Sequence, residues 1–457
     1  MNRVTKRTWL MSLFILVLLG GMLLFLWEYF TQAQNWVVFS GSPHIYNSAN
    51  IGCGTILDRS GEVLLDLTES RTYSSDATTR KSTLHWLGDR KGYVNAVAIS
   101  HYAAEMAGFN LVDGVYDATG TGGTASLTLS ATVQNAALEA LGSSKGTIAV
   151  YNYKTGEILC AVTSPTYDPD NVPDIENDES GAYEGVYLNR FIQSAYVPGS
   201  IFKIVTTAAA LDCVPDIEER TFTCYGKLEY GTEAVTCEKA HGTQTLKAAF
   251  ANSCNCAFAQ IAELVGKQNM VKYVEKFAVT QSLTFDGLTT GEGNYDVSDT
   301  APVSFAWSCI GQYNDLVNPA RYMTFVGTIA AGGAGVEPYL VSQVRSGEEV
   351  SYEAKPTETG RILSEEVAAK VRQYMRNNVQ SVYGDWNFPG LSVCAKSGTS
   401  QLGGGQKSNA MFAGFVENEE YPLAFIVVVE NGGYGSHTCV PILSKVLAAC
   451  KTVLDGE

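Results

Sequence analysis

The sequence is poor in charged residues, in basic residues and in histidine. Only 17% of its 457 residues are charged, and 31 Lys and Arg stand against 47 Asp and Glu, a formal net charge of −16. This balance argues against a nucleic-acid partner, because phosphate backbones are bound by fields of Lys and Arg. The five His residues include no H-E-x-x-H pattern, which leaves little for a metalloenzyme. A hydrophobic share of 46% argues against a disordered chain.

Long apolar runs are also scarce, and the one that is present lies near the N-terminus. Residues 8–27 carry no charge, and a helix of that length spans roughly 30 Å, the hydrocarbon thickness of a bilayer. Arg3, Lys6 and Arg7 precede it, so the positive-inside tendency keeps the N-terminus in the cytoplasm. The alternative is a cleaved signal peptide, whose apolar region is usually shorter. We therefore expect a single-pass plasma-membrane protein with its bulk outside the cytoplasm.

The 11 Cys residues are an odd number, so at least one is unpaired. Cys224 and Cys237 flank a short polar segment that is typical of a hairpin, and they are the best disulfide candidate. A zinc site would need these two, His241 and a fourth ligand, and no second Cys/His pair has the right spacing. The sequence therefore predicts neither a metal nor another cofactor. Four further cysteines among apolar neighbours are expected to be small buried side chains: Cys160, Cys309, Cys394 and Cys450.

Secondary-structure patterns sharpen after a Gly/Thr-rich break at 117–126, which we take as a domain boundary. Apolar periodicity and turn signals beyond the break predict helices at 131–141, 202–211 and 440–453 and strands at 146–153, 157–163, 391–396, 411–416 and 423–429. The segments between the second and third strands are mostly helical. We therefore predict an α/β domain whose antiparallel sheet is assembled from both ends of the sequence.

The first chemical motif is Ser200-Ile201-Phe202-Lys203, which follows Pro198-Gly199. Pro and Gly before an apolar helical run place Ser200 at a helix N-terminus. Residues three apart share a helix face, so the Lys203 amine can reach the Ser200 hydroxyl, and a neutral lysine can activate a serine nucleophile. Taken alone, this motif is better explained by a capped helix with a solvated lysine, although no other serine in the chain has Lys three residues later.

Two further motifs follow along the chain. Ser253-Cys254-Asn255 offers a hydroxyl that can relay a proton and an amide that can hold a substrate amide. Lys396-Ser397-Gly398-Thr399 comes at the end of a strand-like run, where Gly398 lets another chain approach the strand edge and Lys396 attracts a carboxylate. Both patterns occur twice, and we assign the second copies to a loop and to a hairpin turn: Ser48–Asn50 and Lys154-Thr155-Gly156.

In this order the three motifs resemble those of the penicillin-binding protein and serine β-lactamase superfamily. Most of the chain takes part in the resemblance, and class B penicillin-binding proteins without PASTA domains are the most similar group. Further matching segments are Gln134-Asn135-Ala136-Ala137, Thr155 to Leu159, Tyr167-Asp168-Pro169, Asn189-Arg190, Ile310-Gly311-Gln312 and, for the start of a non-catalytic pedestal, Gly54 to Leu64.

The resemblance implies a fold and a domain order. The expected fold is α/β, a penicillin-binding/β-lactamase-like transpeptidase domain with an antiparallel sheet flanked by helices, behind one transmembrane helix and a small, mostly β pedestal. The expected bounds are 1–7 for a cytoplasmic tail, 8–28 for the anchor, 29–125 for the pedestal and 126–457 for the transpeptidase domain.

The resemblance also implies a reaction, the cross-linking of peptidoglycan stem peptides that end in D-Ala-D-Ala. Ser200 would attack the donor with Lys203 as general base, and Ser253 would pass a proton to the leaving D-alanine. Lys396 would supply electrostatic support and bind the donor carboxylate together with Ser397 and Thr399. The remaining implied site residues are Asn255, which would bind the donor amide, and Gly398.

Several features restrict this interpretation. Ser397 replaces the commoner Thr of the third motif, and Met411 stands where an aromatic residue is frequent.

The expected partners are stem peptides, β-lactam antibiotics that acylate Ser200 and a membrane glycosyltransferase. The alternatives are a β-lactamase, a D,D-carboxypeptidase, and a non-catalytic β-lactam sensor or glycosyltransferase scaffold. No Glu-x-x-Leu-Asn motif follows Ser253, which disfavours the β-lactamase.

Overall fold

The computed structural model describes residues 2–37, 46–47, 50–51, 53–107, 109–111, 114–115, 122–401 and 407–456. The α-helices of these residues are α1 (Asn2–Val37), α2 (Ala77–Leu87), α3 (Val97–Ser100), α4 (Ala103–Met106), α5 (Ala131–Leu141), α6 (Arg190–Gln193), α7 (Lys203–Cys213), α8 (Leu246–Ala251), α9 (Asn255–Val265), α10 (Lys267–Lys276), α11 (Pro302–Ser308), α12 (Pro319–Ala330), α13 (Glu365–Asn378) and α14 (Gly435–Gly456).

The strands of the same residues are β1 (Tyr46–Asn47), β2 (Asn50–Ile51), β3 (Thr55–Leu57), β4 (Val63–Asp66), β5 (Thr72–Tyr73), β6 (Phe109–Asn110), β7 (Gly114–Val115), β8 (Thr124–Leu127), β9 (Gly146–Asn152), β10 (Ile158–Ser164), β11 (Thr221–Cys224), β12 (Lys227–Tyr230), β13 (Glu233–Thr236), β14 (Gly242–Thr245), β15 (Thr284–Phe285), β16 (Leu288–Thr289), β17 (Ala334–Val336), β18 (Val341–Ser346), β19 (Glu349–Glu353), β20 (Glu358–Arg361), β21 (Val393–Ser400), β22 (Asn409–Val416) and β23 (Leu423–Val429).

The central sheet has the order β10-β9-β23-β22-β21, and every neighbouring pair is antiparallel. The prediction of one sheet assembled from both ends of the sequence is therefore confirmed. Strand β23 is buried along its whole length, because helices cover both faces of the sheet. Phe425 and Val427 belong to the core under α5 and α14, whereas Ile426 and Val428 belong to the core that contains α7, α9 and α12.

A second sheet, of order β19-β18-β8-β3-β4-β5, combines strands from distant parts of the chain. Strand β8 pairs with β3 in parallel and with β18 in antiparallel orientation. The expected domain boundary between 125 and 126 falls inside β8, and residues 117–121 of the predicted break lie outside the described residues. A bidentate ion pair also joins α2 to the segment after β10, since Arg80 donates to both oxygens of Asp168 at 2.7 Å.

Within the described residues, two helices are long and apolar enough to cross a membrane. Helix α1 contains the predicted 8–28 segment, and its apolar side chains are exposed throughout that segment. Helix α14 is different, because it packs against α5 and the central sheet and contributes buried residues to a core. By burial, only α1 has the character of a membrane segment within the described part of the chain.

Candidate active site

Ser200 lies on a short 3-10 turn, Gly199–Phe202, that leads directly into α7. The predicted helix that starts at Phe202 is therefore confirmed from Lys203 onward, whereas Phe202 itself still belongs to the 3-10 turn. Gly199 adopts a positive φ of 55°, and its N–H donates to the Gly311 carbonyl at 2.7 Å. A Cβ on Gly199 would lie 2.7 Å from the Thr399 carbonyl oxygen. The turn that carries the nucleophile is thus held tightly against strand β21.

The Lys203 side chain is fully buried and converges on Ser200 and the second motif. Its Nζ lies 2.9 Å from Ser200 Oγ, 2.8 Å from the Ser253 carbonyl oxygen, 3.1 Å from Ser253 Oγ and 2.8 Å from Asn255 Oδ1. Burial lowers the pKa of Lys203 to about 7, because the ammonium form loses its hydration. A substantial fraction of the amine is therefore neutral near neutral pH and can accept a proton.

Lys396 is the second fully buried amine, and it approaches Ser253 from the other side. Its Nζ donates to Ser253 Oγ at 3.0 Å and to the Ser397 carbonyl at 2.9 Å. Burial, together with the neighbouring Lys203 amine, lowers the pKa of Lys396 well below its ordinary value. Ser253 Oγ thus bridges two amines, which is the geometry a proton relay requires.

The second motif is positioned by the start of α9. Ser253 has a positive φ of 51°, an uncommon conformation for a residue with a side chain. The Cys254 sulfur caps α9 by accepting the Ala257 N–H. Asn255 accepts from Lys203 through Oδ1 and donates through Nδ2 to the Thr236 carbonyl at 2.9 Å. The amide nitrogen carries a second N–H, which leaves one donor for a substrate.

The third motif lies inside β21, which continues to Ser400 beyond the predicted end at 396. Gly398 pairs with Met411 of β22, and a Cβ on Gly398 would lie 2.7 Å from the Pro198 carbonyl oxygen. The missing side chain therefore admits the chain's own nucleophile turn, where we had expected it to admit a second chain. The free edge of the sheet at β21 still exposes main-chain groups beside Ser397 and Thr399 to the cleft.

A cleft of about 580 Å³ opens in front of these motifs. Among the predicted site residues, its walls include Ser200, Ser253, Asn255, Ser397 and Thr399. The two buried lysines and Gly398 form the layer behind, and the Lys396 amine contacts the wall residues Ser253 and Ser397. The structure thus brings all eight predicted site residues together.

Tyr383 is a wall residue that the sequence analysis missed. It lies at the end of a single π-helical turn, Val379–Tyr383, and burial raises the pKa of its hydroxyl. The hydroxyl lies 3.0 Å from Ser397 Oγ and accepts the Ser397 N–H at 2.9 Å. No local motif marks this residue, because its position depends on the contact between α13 and β21.

The four cysteines expected to be buried are buried, namely Cys160, Cys309, Cys394 and Cys450, but two other cysteine predictions need correction. Cys224 and Cys237 are free thiols, and the Cys237 sulfur lies 3.7 Å from that of Cys254. The Cys254 thiol lowers the pKa of Cys237 through this hydrogen bond. The expectation that no fourth ligand accompanies Cys224, Cys237 and His241 is also wrong, since Cys254 joins them. The spacing rule missed Cys254 because the folding of α9 brings it there. The predicted hairpin is present as β12 and β13.

Comparisons with known proteins give a consistent result. A family model described as "Penicillin binding protein transpeptidase domain" matches residues 146–448. A curated relative, peptidoglycan D,D-transpeptidase PbpA of Mycolicibacterium smegmatis, is 27% identical over 361 residues, which is 72% of each chain. A solved structure, the D,D-transpeptidase domain of a peptidoglycan glycosyltransferase from Eggerthella lenta, has a TM-score of 0.75 at 26% identity and covers 88% of this chain and 98% of that one.

A second solved structure has the same overall fold at lower identity. It is penicillin-binding protein A from M. tuberculosis in a ceftriaxone acyl-enzyme complex, with a TM-score of 0.75 and 24% identity. The similarity covers 87% of this chain and 98% of that one. The predicted α/β fold, with its flanked antiparallel sheet, is confirmed by both structures.

Proposed function

Because the chain belongs to the penicillin-binding protein transpeptidase family and is a peptidoglycan serine D,D-transpeptidase, we propose that Ser200 forms its acyl-enzyme with Lys203 as the base. The observation that carries this assignment is the distance of 2.9 Å between Ser200 Oγ and a fully buried lysine amine. The alternatives of a β-lactamase and of a non-catalytic protein are set aside on the family match.

The first half of the reaction uses both buried amines. As Ser200 Oγ attacks the carbonyl between the two terminal D-alanines, its proton passes to the neutral amine of Lys203. The C–N bond then breaks, and the departing D-alanine amine receives a proton through Ser253 Oγ, which lies within 3.1 Å of both lysines. General acid–base catalysis of this kind typically contributes about 10²–10⁴-fold in rate.

The second half reverses these proton transfers. The amine of a second stem peptide attacks the ester carbonyl, and its proton passes through Ser253 Oγ to the Lys203 amine. The ester C–O bond then breaks, and Ser200 Oγ takes a proton back from Lys203. We assign stabilisation of the oxyanion in both halves of the reaction to the backbone N–H groups of Ser200 and Thr399. These residues belong to the two segments that meet where Gly199 packs closely against Thr399. Such donors each contribute about 3–4 kcal/mol to transition-state stabilisation.

The donor peptide lies along the free edge of β21 in this proposal. The hydroxyls of Ser397 and Thr399 contact its C-terminal carboxylate, and Lys396 supports them from behind through the hydrogen bonds that its Nζ donates to Ser253 Oγ and to the Ser397 carbonyl. Thr399 Oγ1 accepts the Gly435 N–H at 3.1 Å, which orients the hydroxyl. A β-lactam presents a carboxylate and a strained amide in the same arrangement, so it acylates Ser200 in place of the donor.

Helix α1 anchors the enzyme in the plasma membrane in this proposal, with the transpeptidase domain on the outer side where its substrate lies. A membrane glycosyltransferase is the corresponding partner, since cross-linking acts on the strands such an enzyme makes. The N-terminal segment before residue 126 is the proposed place of contact.

Transpeptidation by the full chain in detergent tests the assignment. A peptide ending in D-Ala-D-Ala and a labelled D-amino acid acceptor should give both D-alanine release and acceptor incorporation. Ser253→Ala should lower both by about 10²-fold or more, whereas Ser48→Ala, in the second copy of the same motif, should lower neither. Equal activity of the two variants would contradict the relay, and D-alanine release without incorporation would identify a carboxypeptidase.

A further inference from the structure

Four potential metal ligands converge beside the active site, in a cluster that the transpeptidase reaction does not use. They are Cys224, Cys237, His241 and Cys254, and their ligand atoms all lie within 4.8 Å of one another. Cys224 ends β11, Cys237 and His241 follow β13, and Cys254 precedes α9. The cluster therefore joins the hairpin to the Ser-x-Asn motif.

The spacing of these atoms fits a tetrahedral metal. With Zn–S bonds of about 2.3 Å and Zn–N bonds of about 2.05 Å, tetrahedral geometry separates two sulfurs by about 3.8 Å and a sulfur from a nitrogen by about 3.6 Å. The Cys237 and Cys254 sulfurs are 3.7 Å apart, and the Cys224 sulfur is 3.6 Å from His241 Nδ1. A disulfide would require a sulfur–sulfur distance of about 2.05 Å.

Each sulfur also accepts a backbone N–H, as metal-bound thiolates do. Gly226 donates to Cys224 at 3.4 Å, Cys256 donates to Cys237 at 3.3 Å, and Ala257 donates to Cys254 at 3.4 Å. Such outer contacts orient the ligands and stabilise their negative charge. The hydrogen-bonding pattern thus points to a ligand set, as the distances do.

We propose that Cys224, Cys237, His241 and Cys254 bind one zinc ion in a closed structural site. Three thiolates and one imidazole select zinc over the oxygen-seeking cations Ca²⁺ and Mg²⁺. Binding replaces the three thiol protons, which are released to solvent, and leaves a site of net charge −1. Because four protein ligands complete the tetrahedron, the ion holds the structure and activates no water.

The position of the site gives it a consequence for catalysis. Cys254 lies between Ser253 and Asn255, and both of these contact Lys203. Ser253 has the uncommon φ of 51°, a conformation that persists only where the surroundings enforce it. The zinc ion supplies that restraint by tying Cys254 to the hairpin. The ligands are therefore positioning residues for the proton relay, and this consequence rests on the proposed function, whereas zinc binding does not.

Metal analysis of the full chain, purified in detergent without added metal, tests the site. We expect one zinc per chain, and at least about a tenfold loss of bound zinc in Cys224→Ser. Cys256→Ser is the matched control, because Cys256 is buried in the same segment but directs its sulfur to the Val235 carbonyl at 3.6 Å. Replacing zinc by cobalt should give the intense visible bands of tetrahedral thiolate coordination, a readout that does not depend on activity.

Several results would overturn the proposal. The first is a chain that folds normally without bound metal. The second is a disulfide, mapped by mass spectrometry, between any two of the four residues. The third is equal retention of zinc in Cys224→Ser and Cys256→Ser. Iron in place of zinc would refute the choice of metal. A Ser200→Ala chain should keep its zinc and lose acylation by penicillin, so failure of the metal site and failure of the proposed catalytic role are distinguishable.

Discussion

The pH dependence of acylation should follow the protonation of Lys203. Burial lowers the pKa of this amine to about 7, and only the neutral form can take the proton of Ser200. At pH 6 about one eleventh of the amine is neutral and at pH 8 about ten elevenths, so the acylation rate should rise about tenfold over this range and then level off. A lysine with an unperturbed pKa would be neutral more than about a thousandfold less often at pH 7.

Stopped-flow measurement of a fluorescent penicillin reacting with the full chain gives this profile. The second-order rate constant for acylation should increase with pH through about 7. Lys203→Ala should remove the pH dependence and lower the rate by about 10²–10⁴-fold. A wild-type rate that is flat or that falls between pH 6 and pH 8, on a protein that stays folded, would refute the role of Lys203 as a neutral base.

Three further predictions concern other parts of the structure. Lys396→Ala removes the hydrogen bond to the Ser253 hydroxyl and should slow acylation by about 10²-fold or more, whereas Lys154→Ala, in the exposed second copy of the motif, should leave the rate unchanged. Equal rates in the two variants would exclude a role for Lys396 in acylation. Asp315 is fully buried with neither oxygen hydrogen-bonded among the described residues, and burial raises its pKa well above the ordinary value. As pH rises from about 4, the carboxyl group loses its proton in the unfolded state before it does so in the folded state, which destabilises the wild type. The free energy of unfolding of Asp315→Asn should therefore increase relative to that of wild type by about 1.4 kcal/mol per pH unit, up to the folded-state pKa. A difference in melting temperature between variant and wild type that is the same at pH 5 and at pH 8 would contradict this. Gly311→Ala places a Cβ against the carbonyl oxygen of the residue before the nucleophile, whereas Gly347→Ala has a similar positive φ and open space. Gly347→Ala should lower the free energy of unfolding by about 1–2 kcal/mol. Gly311→Ala should lower it more and should also slow acylation, and equal melting temperatures of the two variants would exclude the clash.

The parts of the site that sequence reasoning could predict depend on local geometry or on chain order. Ser200 and Lys203 are three residues apart, so the helix alone brings them within 2.9 Å. The apolar runs of the central strands predict the sheet, because a strand covered by helices on both faces has little need of polar residues. No local rule places Ser253 and Lys396 beside Ser200. Their place in the site is predicted only by the order and spacing of the three motifs along the chain.

The parts that could not be predicted depend on contacts between distant segments. Tyr383 reaches Ser397 only because a π-helical turn follows α13. Cys254 joins Cys224 and Cys237 only through the packing of α9 on the hairpin. A missing side chain at Gly398 indicates that another group approaches closely, but it does not show whether that group is a substrate or the chain's own nucleophile turn.

The identity of the acylated residue is the most direct test of the account. The full chain in detergent would be incubated with a fluorescent penicillin, digested, and the labelled peptide mapped by mass spectrometry. The account predicts a label on Ser200 that persists for many minutes and is absent from Ser200→Ala. A label on another serine, or a folded wild-type protein that takes up no label, would contradict it.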